Sequence, residues 1–218
     1  MIELVSIHIP KTAGRTFLAI LNSVYPSGSV IHFDRKNFPD KSISETIQFK
    51  SQLNETTKVI HGHFRYKEIK DWENIKSSKL IAWFRDPVER VISNYGFFKK
   101  RIALAINDPE LQRRKNETLL EYASLDDTRN LMSNFIEGFN IKDFYFTGIT
   151  EHFNYDVNKL AVMLKWKAFD IPWINDNTEF KSKIPDVTSE LRKTITELNA
   201  EDIKLYSKVL EIHNKRKY

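Results

Sequence analysis

Residues 4–17 read Leu4-Val5-Ser6-Ile7-His8-Ile9-Pro10-Lys11-Thr12-Ala13-Gly14-Arg15-Thr16-Phe17. The first six make a short, mostly apolar run of the kind that forms a buried strand. Lys11 to Gly14 reads as a turn. From Arg15 to Tyr25, apolar side chains recur at Phe17, Leu18, Leu21 and Tyr25, the spacing of one helix face. A strand feeding a tight turn and then a helix points the helix's first N–H groups, which lack intrahelical acceptors, at whatever sits on the turn. Lys11 adds a mobile positive charge there, and Thr12 and Thr16 add hydroxyls. Such a turn can cradle a phosphate or similar oxyanion. It can equally be an ordinary strand-to-helix turn with a surface lysine. It is not a Walker A loop, because G-x-x-x-x-G-K-[ST] is absent.

The same alternation runs on along the chain. Val30–Phe33, Lys58–Phe64, Lys79–Phe84 and Asp143–Ile149 read as further strands. Between them, a polar stretch around Pro39 precedes Ser42-x-x-Glu45, which resembles a capping box for a helix to about Leu53. Asp86-Pro87 ends the fourth strand and opens a helix with proline at its first position. Val88, Val91, Ile92, Tyr95, Phe98, Ile102 and Ala105 then keep a 3.6-residue period. Asn107–Glu117 is a charged interruption expected as an exposed loop, and Thr118-x-x-Glu121 caps the next helix. Leu131–Phe139, Asn154–Lys165 and Thr188–His213 are expected as helices. Strands alternating with helices predict an α/β fold with a central, mainly parallel sheet of about five strands, in one domain over residues 1–218.

Composition narrows the function. The 218 residues carry 34 Lys and Arg against 29 Asp and Glu, a net charge of +5, with acids and bases interleaved. That balance suits an anionic ligand and argues against a large nucleic-acid footprint. There is no cysteine, hence no disulfide framework, thiolate metal site or cysteine nucleophile. No segment approaches the ~20 apolar residues of a membrane span. With no export signal in view, a soluble, cytoplasmic protein is expected. Oligomeric state is not legible.

In such folds ligands sit beyond the carboxyl ends of the strands. Three chemically loaded segments fall there: the turn after Ile9, His61-Gly62-His63-Phe64-Arg65, and Arg85. Arg85 could grip a phosphate with its planar fork, or cap and pair with Asp86; Ser93, two turns along the helix, could donate a hydroxyl to the same group. Glu89 and Arg90 read as surface or helix-pairing charges. Of the two histidines flanking Gly62, either could take a proton from an attacking alcohol, or simply pack and hydrogen-bond. As a metal pair they lack a third ligand spaced nearby. His8 is expected to pack within its strand, and His32, His152 and His213 stand without a constellation.

The Pro10–Phe17 and Arg85–Ser93 segments together resemble the sulfotransferases that use 3′-phosphoadenosine 5′-phosphosulfate (PAPS) and release adenosine 3′,5′-bisphosphate (PAP). The form HIPKTAGRTF looks most like the branch of heparan sulfate 2-O-sulfotransferases and bacterial carbohydrate sulfotransferases. Weaker likeness continues through Phe146–Glu151 and Leu198–Tyr206. The resemblance implies a P-loop-like three-layer fold. It implies a donor site of Lys11, Thr12, Ala13, Gly14, Arg15, Thr16 and Phe17 for the 5′-phosphosulfate and Arg85 with Ser93 for the 3′-phosphate, with no metal. Arg15 departs from the small hydroxyl residue more usual there. A late basic loop that closes over the donor would map to Lys181 and Lys183. The HGH element maps the catalytic base to His63, supported by His61 and Lys11, with Phe64 and Arg65 toward the acceptor. The acceptor implied is a hydroxyl on a glycan or glycolipid, and Arg65, Lys99, Lys100, Arg101, Arg113, Arg114 and Lys115 could form a basic rim for it or a merely solvated face. Two rival readings stay open at this point: a P-loop-type kinase, and a non-catalytic nucleotide- or polyanion-binding module.

Overall fold

The computed structural model describes residues 1–34, 45–172 and 187–216. Five strands, β1 (Leu4–Ile7), β2 (Val30–Phe33), β3 (Val59–Gly62), β4 (Lys79–Phe84) and β5 (Phe146–Ile149), form one sheet in the order β2-β3-β1-β4-β5. Every pairing is parallel. The α/β architecture with a parallel five-stranded centre is therefore as expected.

Alternate residues of each strand enter different cores, which is why the strands are apolar on both faces. Leu4, Val59, Ile81 and Trp83 pack with Phe17, Ile20 and Leu21 of α1 (Gly14–Val24) and with Val157 and Leu160 of a helix over Phe153–Leu164. Val5, Ile7, Ile60, Ala82 and Phe84 pack on the other face, against a short helix over Leu131–Phe135 and Val209 of the last helix. Helices thus cover both faces, giving three layers. A third cluster joins Val91, Tyr95, Phe98 and Ile102 of α4 (Pro87–Leu104) to Tyr122 and Ile195.

Local signals work where they are expected. Asp86 caps α4 by accepting from Glu89 N at 3.0 Å, with Pro87 at the first helical position. Thr118 and Glu121 form the reciprocal capping box. Three expectations need correction. The charged 107–117 stretch contains a short helix, Pro109–Arg113, because Asp108 caps it and Pro109 starts it. The fifth strand begins at Phe146, because residues 141–143 wind into a 3₁₀ turn capped by Asn140. The long C-terminal helix is two, Ser189–Leu198 and Ala200–Lys215, broken at Asn199. There Asn199 Oδ1 accepts from Asn130 N at 3.0 Å, while Asn130 Oδ1 accepts from Glu201 N and Asp202 N and so caps the second helix from outside. The stretch around Pro39, the Ser42 capping position and Lys181 with Lys183 lie outside the described residues.

The chain steps from β1 outward to β2, back to β3, and then across to β4. The strand order therefore reverses around β1, and the loops after β1, β3 and β4 open at one edge.

Candidate active site

The turn after β1 is built to expose backbone. Lys11 and Ala13 both sit at positive φ, 71° and 65°, a conformation costly for residues with a Cβ. Thr12, buried, ties the turn down by donating its hydroxyl to Ile9 O at 2.8 Å. That hydroxyl is thus spent on the turn rather than offered to a ligand. Ala13 is the N-cap, and Phe17 N is the first to reach an intrahelical acceptor, Ala13 O at 3.0 Å. The N–H groups of Gly14, Arg15 and Thr16 therefore form the positive end of α1, whose first turn carries no acid. Gly14 is required: a Cβ there would stand 1.9 Å from the His8 ring. Phe17 is fully buried between the sheet and α1, so its ring contributes packing and not ligand contact.

Arg85 leaves the end of β4 and reaches this turn. Its Nη1 donates to Lys11 O at 3.1 Å, its Nε lies 3.9 Å from Glu151, and that buried Nε has no hydrogen-bond partner among the described residues. Glu151 also accepts from Asp86 N and from the Tyr206 hydroxyl, both at 3.1 Å, so it fixes the β4 exit. Ser93, half-buried, lies two turns into α4. The ammonium of Lys11 stands 4.6 Å from the centre of the Phe97 ring. Burial first, then Arg85, Arg15 and Lys100, lower its pKa to about 8.

An imidazole group completes the edge. His63 Nδ1 lies 2.8 Å from His8 O. A carbonyl only accepts, so Nδ1 carries the proton and Nε2 the lone pair, which is the tautomer a base needs. The His8 ring stacks on His63 at 4.0 Å and on His61 at 4.9 Å, and His32 stacks on His61 at 5.7 Å. His61 is fully buried, with Nδ1 2.9 Å from Ser6 Oγ. Burial holds His8, His32 and His61 below the usual histidine pKa, and the neighbouring histidines push His8 and His61 down further. The sequence offered no third ligand beside the HGH pair, yet the fold brings His8 and His32 to His61. His32 and His8 therefore do not stand alone, and neither does His213, which pairs with buried Asp156 at 2.8 Å.

His8, Gly14, Arg15, Leu18, His32, Asp34, His63, Phe97 and Arg101 line a cleft of about 590 Å³. Phe64 does not reach it: two residues beyond β3 and one beyond His63, its ring is fully buried against Phe33 and Phe49. Arg65 instead sits at the N-cap of a short helix, Tyr66–Ile69, its N–H donating to Glu68 at 2.6 Å. Of the basic residues expected at a rim, Arg101 lines the cleft; Arg114 is held by Glu117 at 2.8 Å, and Lys99 donates to the carbonyls of Lys115 and Glu117. Arg90 is not a surface charge. It is fully buried, donates to Thr128 O at 2.8 Å and faces buried Asp202 at 3.9 Å, whereas Glu89 does pair between helices, with Arg192 at 2.8 Å.

The family model described as the Sulfotransferase family matches residues 2–208. The chain belongs to this family. Among solved structures it is similar to mouse sulfotransferase SULT7A1 complexed with PAP, at 13% identity and a TM-score of 0.61, covering 99% of this chain and 88% of that one. It is also similar to a sulfotransferase from Alicyclobacillus acidocaldarius, at 14% identity and a TM-score of 0.51, covering 96% of each chain. At such identities the likeness bears on the fold alone. No curated protein matches the sequence. Among the described residues no helix is long and apolar enough to cross a membrane.

Proposed function

We propose that this sulfotransferase moves the sulfuryl group of PAPS to an acceptor hydroxyl, releasing PAP, with His63 as general base. The observation that carries the reading is convergence: Arg85 touches the Lys11 turn at 3.1 Å, and His63 lies in the wall of the adjoining cleft with its Nδ1 fixed as donor. The donor set suits a bisphosphorylated nucleotide. Three helix-start N–H groups and Lys11 offer charge for one phosphate, and the partly exposed Arg85 guanidinium with Ser93 for another. PAP in the mouse relative supports that choice.

When bound, the donor supplies an activated sulfuryl group. The chain's own residues do the rest. His63 Nε2 takes the acceptor's proton as its oxygen attacks sulfur. Lys11 and the N–H groups of Gly14 to Thr16 face the charge that collects on the departing phosphate. The cleft holds the acceptor over Leu18 and Phe97, ringed by Arg15, His32, Asp34 and Arg101. Hydrogen-bonding groups around a small apolar floor favour a sugar hydroxyl of a glycan or glycolipid.

Sulfuryl transfer from labelled PAPS to a panel of glycosides tests this. Wild type should label a glycoside, and His63→Ala should lose roughly 10²–10⁴-fold in rate while still binding PAP. Undiminished transfer by His63→Ala would remove the base assignment.

A further inference from the structure

The HGH element has a partner set that the transfer reaction does not use. His8, His32 and His61 come from three adjacent strands and place one ring nitrogen each within 4.8 Å of the others. Register explains the meeting: His32 pairs with His61 across β2 and β3, and Ser6 pairs with His61 across β1 and β3, which sets His8 just beyond.

We propose that His8, His32 and His61 form a binding site for a divalent transition-metal ion of the zinc class, open to the cleft through His8 and His32. Four observations support it. Imidazole is a preferred ligand of Zn²⁺, Cu²⁺ and Ni²⁺ and a poor one for Mg²⁺. His8 and His32 both line the cleft, which gives an ion a way in from solvent. One buried nitrogen, His8 Nδ1, has no hydrogen-bond partner among the described residues. The second shell is already in place: Ser6 Oγ lies 2.9 Å from His61 Nδ1, which leaves the lone pair on Nε2 when that Nδ1 donates, and the Asp34 carboxylate acts on His32.

The fit requires the rings to turn as well as to close, because His61 stacks with both His8 and His32. Tetrahedral ligands about 2.0–2.1 Å from zinc stand roughly 3.3 Å apart, so the nitrogens must close by no more than about 1.5 Å. Three histidines leave a fourth position for water or a ligand entering from the cleft. Lys11 and Arg15 oppose the added charge and Asp34 offsets it, so binding should be moderate rather than extreme. Because His8 also stacks on His63 and holds it through its carbonyl, the ion would sit one residue behind the proposed base. The site itself does not depend on the transfer reaction.

Calorimetric titration of the untagged full chain with zinc chloride, and separately with magnesium chloride, tests the assignment. One zinc per chain is expected, with no magnesium heat. His32→Gln, on the half-buried edge strand, should weaken zinc about 100-fold or more, and His8→Gln likewise, with apo unfolding midpoints recorded to confirm that both variants fold. Absence of zinc binding at 100-fold excess over micromolar protein would overturn the proposal. So would a single site unchanged in folded His32→Gln, or several equal weak sites.

Discussion

The lowered pKa of Lys11 makes donor binding a proton-uptake reaction. In the free protein the ammonium is half-buried and surrounded by Arg85, Arg15 and Lys100, which brings its pKa from 10.5 to about 8. Its charge therefore costs folded-state stability below about pH 8, and that cost is relieved as pH rises through the unfolded value of 10.5. A bound bisphosphate reverses the balance by placing anions beside the ammonium. At pH 8.5 a group of pKa 8 is about one-quarter protonated, and one restored to its ordinary value is almost fully so. Binding of PAP should then take up about 0.75 proton per site at that pH. The nucleotide's own phosphates are already deprotonated there, and burial lowers the pKa of His8, His32 and His61, so Lys11 dominates the signal. Calorimetry in buffers of different ionisation enthalpy reads the uptake directly. Binding should also weaken roughly 30-fold between pH 7 and pH 9.5, following the loss of the Lys11 proton. In Lys11→Met the uptake should vanish and affinity should become nearly independent of pH over that range. Equal uptake in wild type and Lys11→Met would refute the placement of Lys11 against the phosphate.

Two further outcomes concern the scaffold. Arg90→Ala removes the cation facing buried Asp202, which keeps only its bonds from Met132 N and Ser133, and should cost about 3–5 kcal/mol, a fall of roughly 6–20 °C in unfolding midpoint by calorimetry; a change under 2 °C would contradict the buried pair. Gly148→Ala drives a Cβ to 2.2 Å from the Trp83 ring and should cost about 1–3 kcal/mol in urea unfolding, with wild-type stability contradicting the close strand-to-strand packing.

What the sequence disclosed divides by range. Buried runs such as Lys79–Phe84 and the Asp86-Pro87 start of α4 are local signals, and both stand where the pattern puts them. The turn around Lys11 was legible as an anion cradle, but not the use of Thr12 and Phe17, because their partners, Ile9 O and the Trp83 ring, depend on how the turn and sheet pack. The break at Asn199 was hidden for the same reason: its cause is an exchange of hydrogen bonds with Asn130, far away in the chain. Arg90 looked like one more helix charge until Thr128 and Asp202 closed over it. The histidine cluster needed strand order and register, which no spacing along the chain encodes; a histidine within or just past each of three strands was the available hint. Glu151, which fixes the β4 exit through Asp86 N, lies in the stretch of weak family likeness and carried no sign of its partner.

The central claim is a donor site for a 3′-phosphorylated nucleotide shared by the Lys11 turn and Arg85. Thermal unfolding with PAP, with 5′-AMP and with ATP plus magnesium, on wild type and Arg85→Ala, tests it most directly. PAP at 100 times its dissociation constant should add about 2.7 kcal/mol, a rise of roughly 5–10 °C. The account predicts that rise for PAP in wild type, a much smaller one for 5′-AMP, and its loss in Arg85→Ala. A response to ATP with magnesium but not to PAP, or a PAP response unchanged in Arg85→Ala, would contradict it.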